Sequence, residues 1–204
     1  MNKRRKTWQA KDSLALNSID EIFQELNEAL RRAGLTLRII CCGGYLMNQL
    51  GSTRETKDVD AFYKSNQEID QIIKRIGDAH GLNIGRTIWL NNAVSTMSDW
   101  PDPANYSTAK TFGNLTIDLV TPEYLLSMKL SSVRPVDVED AAYLVKLLNL
   151  ENPIEVYNKI YPLNSKVSIM SVLKAFAQLH GEKWQWDYFR ENQEEILALL
   201  KKHE

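Results

Sequence analysis

One arrangement constrains this chain more than any other. An apolar, β-prone run over residues 37–42, broken only by Arg38, stops at Gly43-Gly44, and thirteen residues later a second β-prone run carries Asp58 and Asp60. The first run reads as a buried strand. Glycine lacks a Cβ, so a Gly-Gly turn can take positive φ and let a phosphate approach its N–H groups. A helical pattern follows from about Tyr45, and the unpaired N–H groups at its start would face the same point. The expected order is strand, turn, helix, loop, strand. A Gly-Gly pair by itself is also the mark of a plain turn.

Side chains alternate across a strand, so Asp58, Asp60 and Phe62 are expected on one face, with Lys57, Val59, Ala61 and Tyr63 on the other. At two strand rises of ~3.3 Å, the two Asp Cα atoms lie about 7 Å apart. Like charges this close repel, and burial worsens the repulsion. A divalent cation relieves it, and Mg²⁺ prefers one or two carboxylates plus substrate phosphate oxygens. A third carboxylate stands in the run Leu115-Thr116-Ile117-Asp118-Leu119-Val120, which alternates with Asp118 opposite the apolar face. An aspartate in mid-strand runs against β-propensity. It is either a solvated residue of an edge strand or part of a three-carboxylate cluster that binds metal and takes a proton from an attacking hydroxyl.

These residues carry a resemblance. Gly43-Gly44, then Asp58-Val59-Asp60, then a later strand with Asp118 resembles the DNA polymerase β-like nucleotidyltransferase superfamily, whose signature is a Gly-[Gly/Ser] turn, an Asp-x-[Asp/Glu] strand and a third carboxylate on a following strand. The text around Arg54-x-Thr56-Lys57-Asp58-Val59-Asp60, with Tyr124-Leu125-Leu126-Ser127-Met128-Lys129-Leu130 and Arg134-x-x-Asp137-x-x-Asp140, looks most like its small bacterial branch of abortive-infection and toxin–antitoxin nucleotidyltransferases. The resemblance spans residues 35–148. Many active members carry Ser at the second turn position, where this chain has Gly44.

The resemblance implies an α/β (α+β) nucleotidyltransferase fold, a mixed β-sheet flanked by helices, with residues 1–134 as catalytic core and 135–204 as a helical subdomain. It implies transfer of a nucleoside monophosphate from an NTP to an acceptor hydroxyl, an RNA end or a protein side chain, with release of pyrophosphate. Asp58, Asp60 and Asp118 would hold Mg²⁺ or Mn²⁺ and act in catalysis, while Gly43, Gly44, Arg54 and Lys129 would bind phosphates. A cognate toxin or antitoxin partner is a further expectation. Two other readings stay open: an inactive nucleotide-binding antitoxin or partner protein, and an RNA-binding module.

Several residues have a second reading from position alone. Arg54 is either an ordinary loop charge or a guanidinium fork for phosphate. Lys129 shares a helix face with Leu125, Leu126 and Val133, so it must snorkel to solvent or find an anion. Asp137 reads as a first-turn charge of the next helix, and Asp140 as that or a partner of Arg134 or Lys129. Trp100 is expected to anchor its loop from inside, and Trp184, Trp186, Tyr188 and Phe189 to lie in a core.

The rest of the text supports a globular frame. Ser18-Ile19-Asp20-Glu21 predicts a capping box, Ile19, Ile22, Phe23, Leu26 and Leu30 form an apolar stripe, and Gly34 ends that helix. Residues 65–80 read as a second helix boxed by Ser65 and Glu68, 106–120 as a hairpin with Gly113-Asn114 at its turn, and Thr121-Pro122 as the start of another helix. After Pro153 the pattern is helical, one helix over 165–180 and a last one from Asp187. Net charge is −1, which does not advertise a nucleic-acid surface beyond the basic run Lys3-Arg4-Arg5-Lys6. Two adjacent cysteines in a strand, no Cys/His metal spacing, no membrane-length apolar run and no apolar signal core lead to the expectation of a cytoplasmic protein with no membrane partner.

Overall fold

The computed structural model describes residues 16–54, 56–132 and 134–201. The basic run at 3–6, the Ser18 side chain expected to cap the first helix, Val133 and His203 lie outside the described residues. Two compact units are present. The first runs to Asp102 and takes in Tyr106–Leu119, and the second comprises Pro103–Asn105 and everything from Val120 on.

The first unit holds α1 (Leu16–Ala33), β1 (Leu37–Cys41), α2 (Gly43–Gln49), β2 (Val59–Phe62), α3 (Gln67–His80), β3 (Leu90–Asn91), α4 (Val94–Met97), β4 (Tyr106–Thr111) and β5 (Leu115–Val120). The strands form one mixed sheet in the order β3-β2-β1-β5-β4. β1 runs antiparallel to β2 and parallel to β5, and β2 runs parallel to β3. This is the mixed α+β architecture expected of a nucleotidyltransferase.

The sheet has two unlike faces because its strands alternate. Leu37, Ile39, Cys41, Val59, Ala61, Leu115 and Ile117 pack with the apolar stripes of α1 (Ile19, Ile22, Phe23, Leu26, Leu30) and α3 (Ile69, Ile72, Ile73, Ile76). Burial of these aliphatic and aromatic groups, at roughly 1.5–3 kcal/mol each, supplies the driving force for the unit. The alternate positions, among them Arg38, Asp60 and Asp118, point to the other face.

Element ends follow side-chain chemistry. α1 stops where Gly34 turns left-handed at φ 67°. The N-cap of α3 is Asn66, not Ser65: Asn66 Oδ1 accepts from the Ile69 N–H at 2.9 Å, while the Ser65 hydroxyl turns to Asp70. Trp89 is wholly buried, donating Nε1–H to the Ile73 carbonyl at 2.9 Å. Gly77 makes room for it, since a β-carbon there would meet Trp89 Cδ1 at 2.5 Å and Asn83 Oδ1 at 2.2 Å. Trp89 thereby fixes the position of β3. Its carbonyl accepts from the Val59 N–H at 2.7 Å and sets the β2–β3 register.

The second unit is helical: α5 (Pro122–Leu130), α6 (Pro135–Leu147), α7 (Pro153–Ile160), α8 (Ile169–His180), α9 (Glu182–Glu191) and α10 (Gln193–Leu200). Helix α8 is its centre, packing on α6, α7 and α9. The boundary expected at residue 134 falls inside this unit, because α5 packs on α6. Pro stands in the first turn of α5, α6 and α7, where its missing N–H costs nothing. Ser168 caps α8 through a capping box with Ser171, and the single C-terminal helix expected from Asp187 is two, α9 and α10.

The α9 aromatics depart from expectation. None is buried: Trp184 stacks between Phe176 and Tyr188, and Trp186 is 64% exposed. Trp100 is not an interior anchor either, at 45% exposed with its ring 5.8 Å from Phe62. Among the described residues no helix is long and apolar enough to cross a membrane.

Candidate active site

The Gly43-Gly44 turn and the Asp60 carboxylate are built against each other. Cys42 donates its N–H to the Asp60 carbonyl at 2.9 Å, which extends the β1–β2 ladder into the turn. Gly43 then takes φ +62°, the left-handed region that favours glycine. A β-carbon on Gly43 would stand 2.3 Å from Asp60 Oδ2, so the missing side chain is what lets the carboxylate lie over the turn. The helix that follows starts at Gly43 itself, two residues before the expected Tyr45.

Gly44 has a different reason to be glycine. A β-carbon there would meet Thr56 Oγ1 at 2.6 Å. Thr56 is buried and donates its hydroxyl to the Asp58 carbonyl at 2.9 Å. A threonine hydroxyl therefore fills the space beside the turn that a serine at position 44 would otherwise enter, and Thr56 fixes the loop that leads into Asp58.

Asp58 and Asp60 are half-buried and stand together at the start of β2. Asp58 precedes the first strand residue, Val59, by one position. Asn91, on the neighbouring β3 and in register with Asp60, joins the two carboxylates: its Nδ2 donates to Asp60 Oδ1 at 3.2 Å and to Asp58 Oδ2 at 3.4 Å. The donor set of two carboxylates fits a hard divalent cation such as Mg²⁺. The space over Gly43 that a β-carbon would crowd is taken by the Asp60 carboxylate, which brings that carboxylate against the turn. Asp58 and Asp60 are the residues that could hold such an ion.

Asp118 is not brought to that pair. In β1, Ile40 pairs with Phe62 on one side and with Asp118 on the other. Strand β1 thus separates Asp118 from β2 by two strand spacings of about 4.8 Å, and Asp118 lies level with Phe62, two residues along from Asp60. Asp118 is fully buried and engaged: Arg38 donates to it from Nε and from Nη2 (3.2 Å to Oδ1), and Thr108 Oγ1 donates to Oδ1 at 2.7 Å. The carboxylate in turn holds the Arg38 pKa above its ordinary value. Among the described residues, no three His, Cys, Asp or Glu side chains are grouped to hold a metal ion.

The remaining expected residues divide. Arg54 lies beside the turn, its guanidinium carbon 4.0 Å from the β-carbon position of Gly44, and it lines a cavity of about 380 Å³ with Thr56, Lys57, Asp58, Leu82, Ile84 and Thr87. Lys129 belongs to the helical unit. Its side chain is 7% exposed, and Nζ lies 2.7 Å from Asp137 Oδ1 and 2.7 Å from Asp140 Oδ2. The lysine on a core-facing stripe has found its anions within its own unit. Asp137 also accepts from Ser132 at 2.6 Å and from Arg134 Nε. Burial pushes the Asp137 carboxyl up, but the hydrogen bonds from Arg134, Lys129 and Ser132 outweigh it and hold the pKa at about 2.

Residues 16–192 match the family described as "Nucleotidyltransferase of unknown function (DUF6036)". The chain belongs to this family. The match covers the whole mixed sheet and most of the helical unit, so this nucleotidyltransferase family includes both units. No curated protein and no solved structure matches the chain. Asn91, which joins the two aspartates of the candidate site, carries little signal in the sequence. Its only signal was an asparagine after the β-prone Trp89-Leu90, in a stretch with little periodicity.

Proposed function

We propose that this protein binds a nucleoside triphosphate with Mg²⁺ or Mn²⁺ at Asp58 and Asp60 and transfers its nucleoside monophosphate to an acceptor hydroxyl. What carries the reading is the contact between turn and carboxylate: Asp60 Oδ2 lies 2.3 Å from where a β-carbon of Gly43 would be, within a chain of the nucleotidyltransferase family. A triphosphate lying on that turn places its oxygens beside Asp60. The acceptor oxygen bonds to the α-phosphorus as the bridge to the β-phosphate breaks, pyrophosphate leaves, and the acceptor proton passes to water.

Each residue's part is positional. Backbone N–H groups of Gly43 and Gly44 approach the phosphates, Arg54 beside Gly44 offers a guanidinium fork, and Asp58 and Asp60 direct the ion. A bound Mg²⁺ supplies charge neutralisation on the triphosphate. Lys129 stays outside this phosphate set because two buried carboxylates hold its ammonium, and Asp118 is given no proton because Arg38 and Thr108 occupy it. The proposed acceptor is an RNA end or a protein hydroxyl.

One observation favours a second reading. With Asp118 separated from the pair, two carboxylates remain, which suits a protein that binds nucleotide without transferring it. The test has two stages. Thermal unfolding is followed with each NTP plus Mg²⁺, on wild type and Asp58→Ala. Ligand at a hundredfold its Kd adds about 2.7 kcal/mol, a shift of roughly 5–10 °C for this length. A Mg²⁺-dependent shift absent from Asp58→Ala is the expected result, and no shift with any NTP sinks the proposal. Pyrophosphate release with the stabilising NTP then separates transfer from mere binding.

A further inference from the structure

We propose that Asn91 is a positioning residue that holds Asp58 and Asp60 as a cation-binding pair, taking the place where a third carboxylate would complete the site. The inference rests on the function proposed above for those two aspartates. β3 is the strand beside β2, it runs parallel to it, and Asn91 is the residue paired with Asp60. A side chain at this register is the one that meets both Asp60 and Asp58. The expected third acid, Asp118, stands on the far side of β1 instead.

The chemistry of an amide at this point is specific. A carboxamide offers two N–H donors on one nitrogen. Asn91 Nδ2 spends them on Asp58 Oδ2 and Asp60 Oδ1, one oxygen of each carboxylate. The amide cannot be turned about, because Asn91 Oδ1 accepts the Ala93 N–H at 2.9 Å. One oxygen of each aspartate is tethered in this way, and Asp60 Oδ2, the other oxygen of its carboxylate, lies over Gly43. The donor also lessens repulsion between two like charges when no ion is bound. An aspartate at 91 would do neither in the metal-free protein, since a third carboxylate adds charge and donates nothing.

Partners of this kind, which orient the ligands of a metal, typically cost 10–100-fold in metal affinity when removed. Asn92 provides an internal control. It is the next residue, and it too is tied into the fold, donating Nδ2–H to the Tyr63 carbonyl at 3.0 Å and accepting from the Tyr63 N–H at 3.3 Å, but it has no bond to Asp58 or Asp60 among those described.

The experiment is a titration of the full chain with Mn²⁺ alone, following the free-ion signal by electron paramagnetic resonance, on wild type, Asn91→Ala, Asn91→Asp and Asn92→Ala. Folding of each variant is checked by circular dichroism. The expected result is Mn²⁺ affinity about tenfold or more weaker in Asn91→Ala, unchanged within about twofold in Asn92→Ala, and tighter than wild type in Asn91→Asp, where a third carboxylate joins the pair. Wild-type affinity in Asn91→Ala, an equal loss in Asn92→Ala, or weaker binding in Asn91→Asp than in Asn91→Ala overturns the inference while leaving the site reading intact. Absence of Mn²⁺ binding by wild type removes both.

Discussion

The Asp60 carboxylate lies over Gly43, so closely that a β-carbon there would stand 2.3 Å from Oδ2. Backbone conformation adds to the steric demand, because Gly43 sits at φ +62°. Gly43→Ala therefore meets two costs, about 1–2 kcal/mol for an L-residue in the left-handed region and about 1–3 kcal/mol for the overfilled contact. The expected loss in urea unfolding is roughly 2–5 kcal/mol, together with loss of Mg²⁺-dependent NTP stabilisation. A variant as stable as wild type would mean the carboxylate does not occupy that space.

The Arg38–Asp118 pair is unequal, with side chains 58% and 0% exposed. Removing the arginine leaves a buried carboxylate held by Thr108 alone, a situation that costs about 3–5 kcal/mol. Removing the charge instead, as Asp118→Asn, leaves Arg38 free to turn to solvent and costs about 1 kcal/mol, one hydrogen bond. Chemical denaturation of Arg38→Ala and Asp118→Asn is expected to show that order. The reverse order would place Asp118 in a role other than this pair.

Lys129 is the cation of a buried cluster in the helical unit. Lys129→Met strands Asp137 and Asp140 without their shared ammonium and is expected to cost about 3–5 kcal/mol. A lysine whose work lay in binding phosphate would leave stability nearly unchanged and lose only NTP stabilisation. Thermal melts with and without NTP read both quantities from one protein.

Acid should act through Asp137. Its carboxyl is held at about 2 in the fold against an ordinary 3.8, by hydrogen bonds from Arg134, Lys129 and Ser132 that outweigh its burial. A group depressed in the fold stabilises above its unfolded value and loses that contribution as pH falls. Stability on the order of 2 kcal/mol is therefore expected to disappear between about pH 4 and pH 2, and Asp137→Asn should flatten that part of the profile. Denaturation midpoints measured across this range check it.

Burial also explains which parts of the chain could be read in advance. The apolar stripes of α1 and α3 and the alternation of β1 and β5 have a strong period, so their faces were legible and now form one core. Pro122, Pro135 and Pro153 mark helix starts for a local reason and stand in those first turns. Trp184, Trp186, Tyr188 and Phe189 misled because hydrophobicity alone does not say whether a partner surface exists, and α9 buries none of them. Ser65 misled because Asn66, one residue on, offers the same cap chemistry.

The Gly43-Gly44 turn and the Asp58/Asp60 pair could be read from the residues alone, since both depend on neighbours close along the chain and on backbone rules that operate locally. The nucleotidyltransferase superfamily was legible in the same short-range text, and the family match over residues 16–192 agrees with it. Tertiary structure decided the rest of the site. Whether Asp118 or Asn91 meets the pair depends on which strand lies beside β2, and the order β3-β2-β1-β5-β4 gives that place to β3. Strand order is a long-range choice, made by Trp89 seated on Gly77 and α3 and by β5 pairing with β1. No local pattern encodes it, because a strand's alternation fixes which face a side chain points to but not which neighbour it will find there.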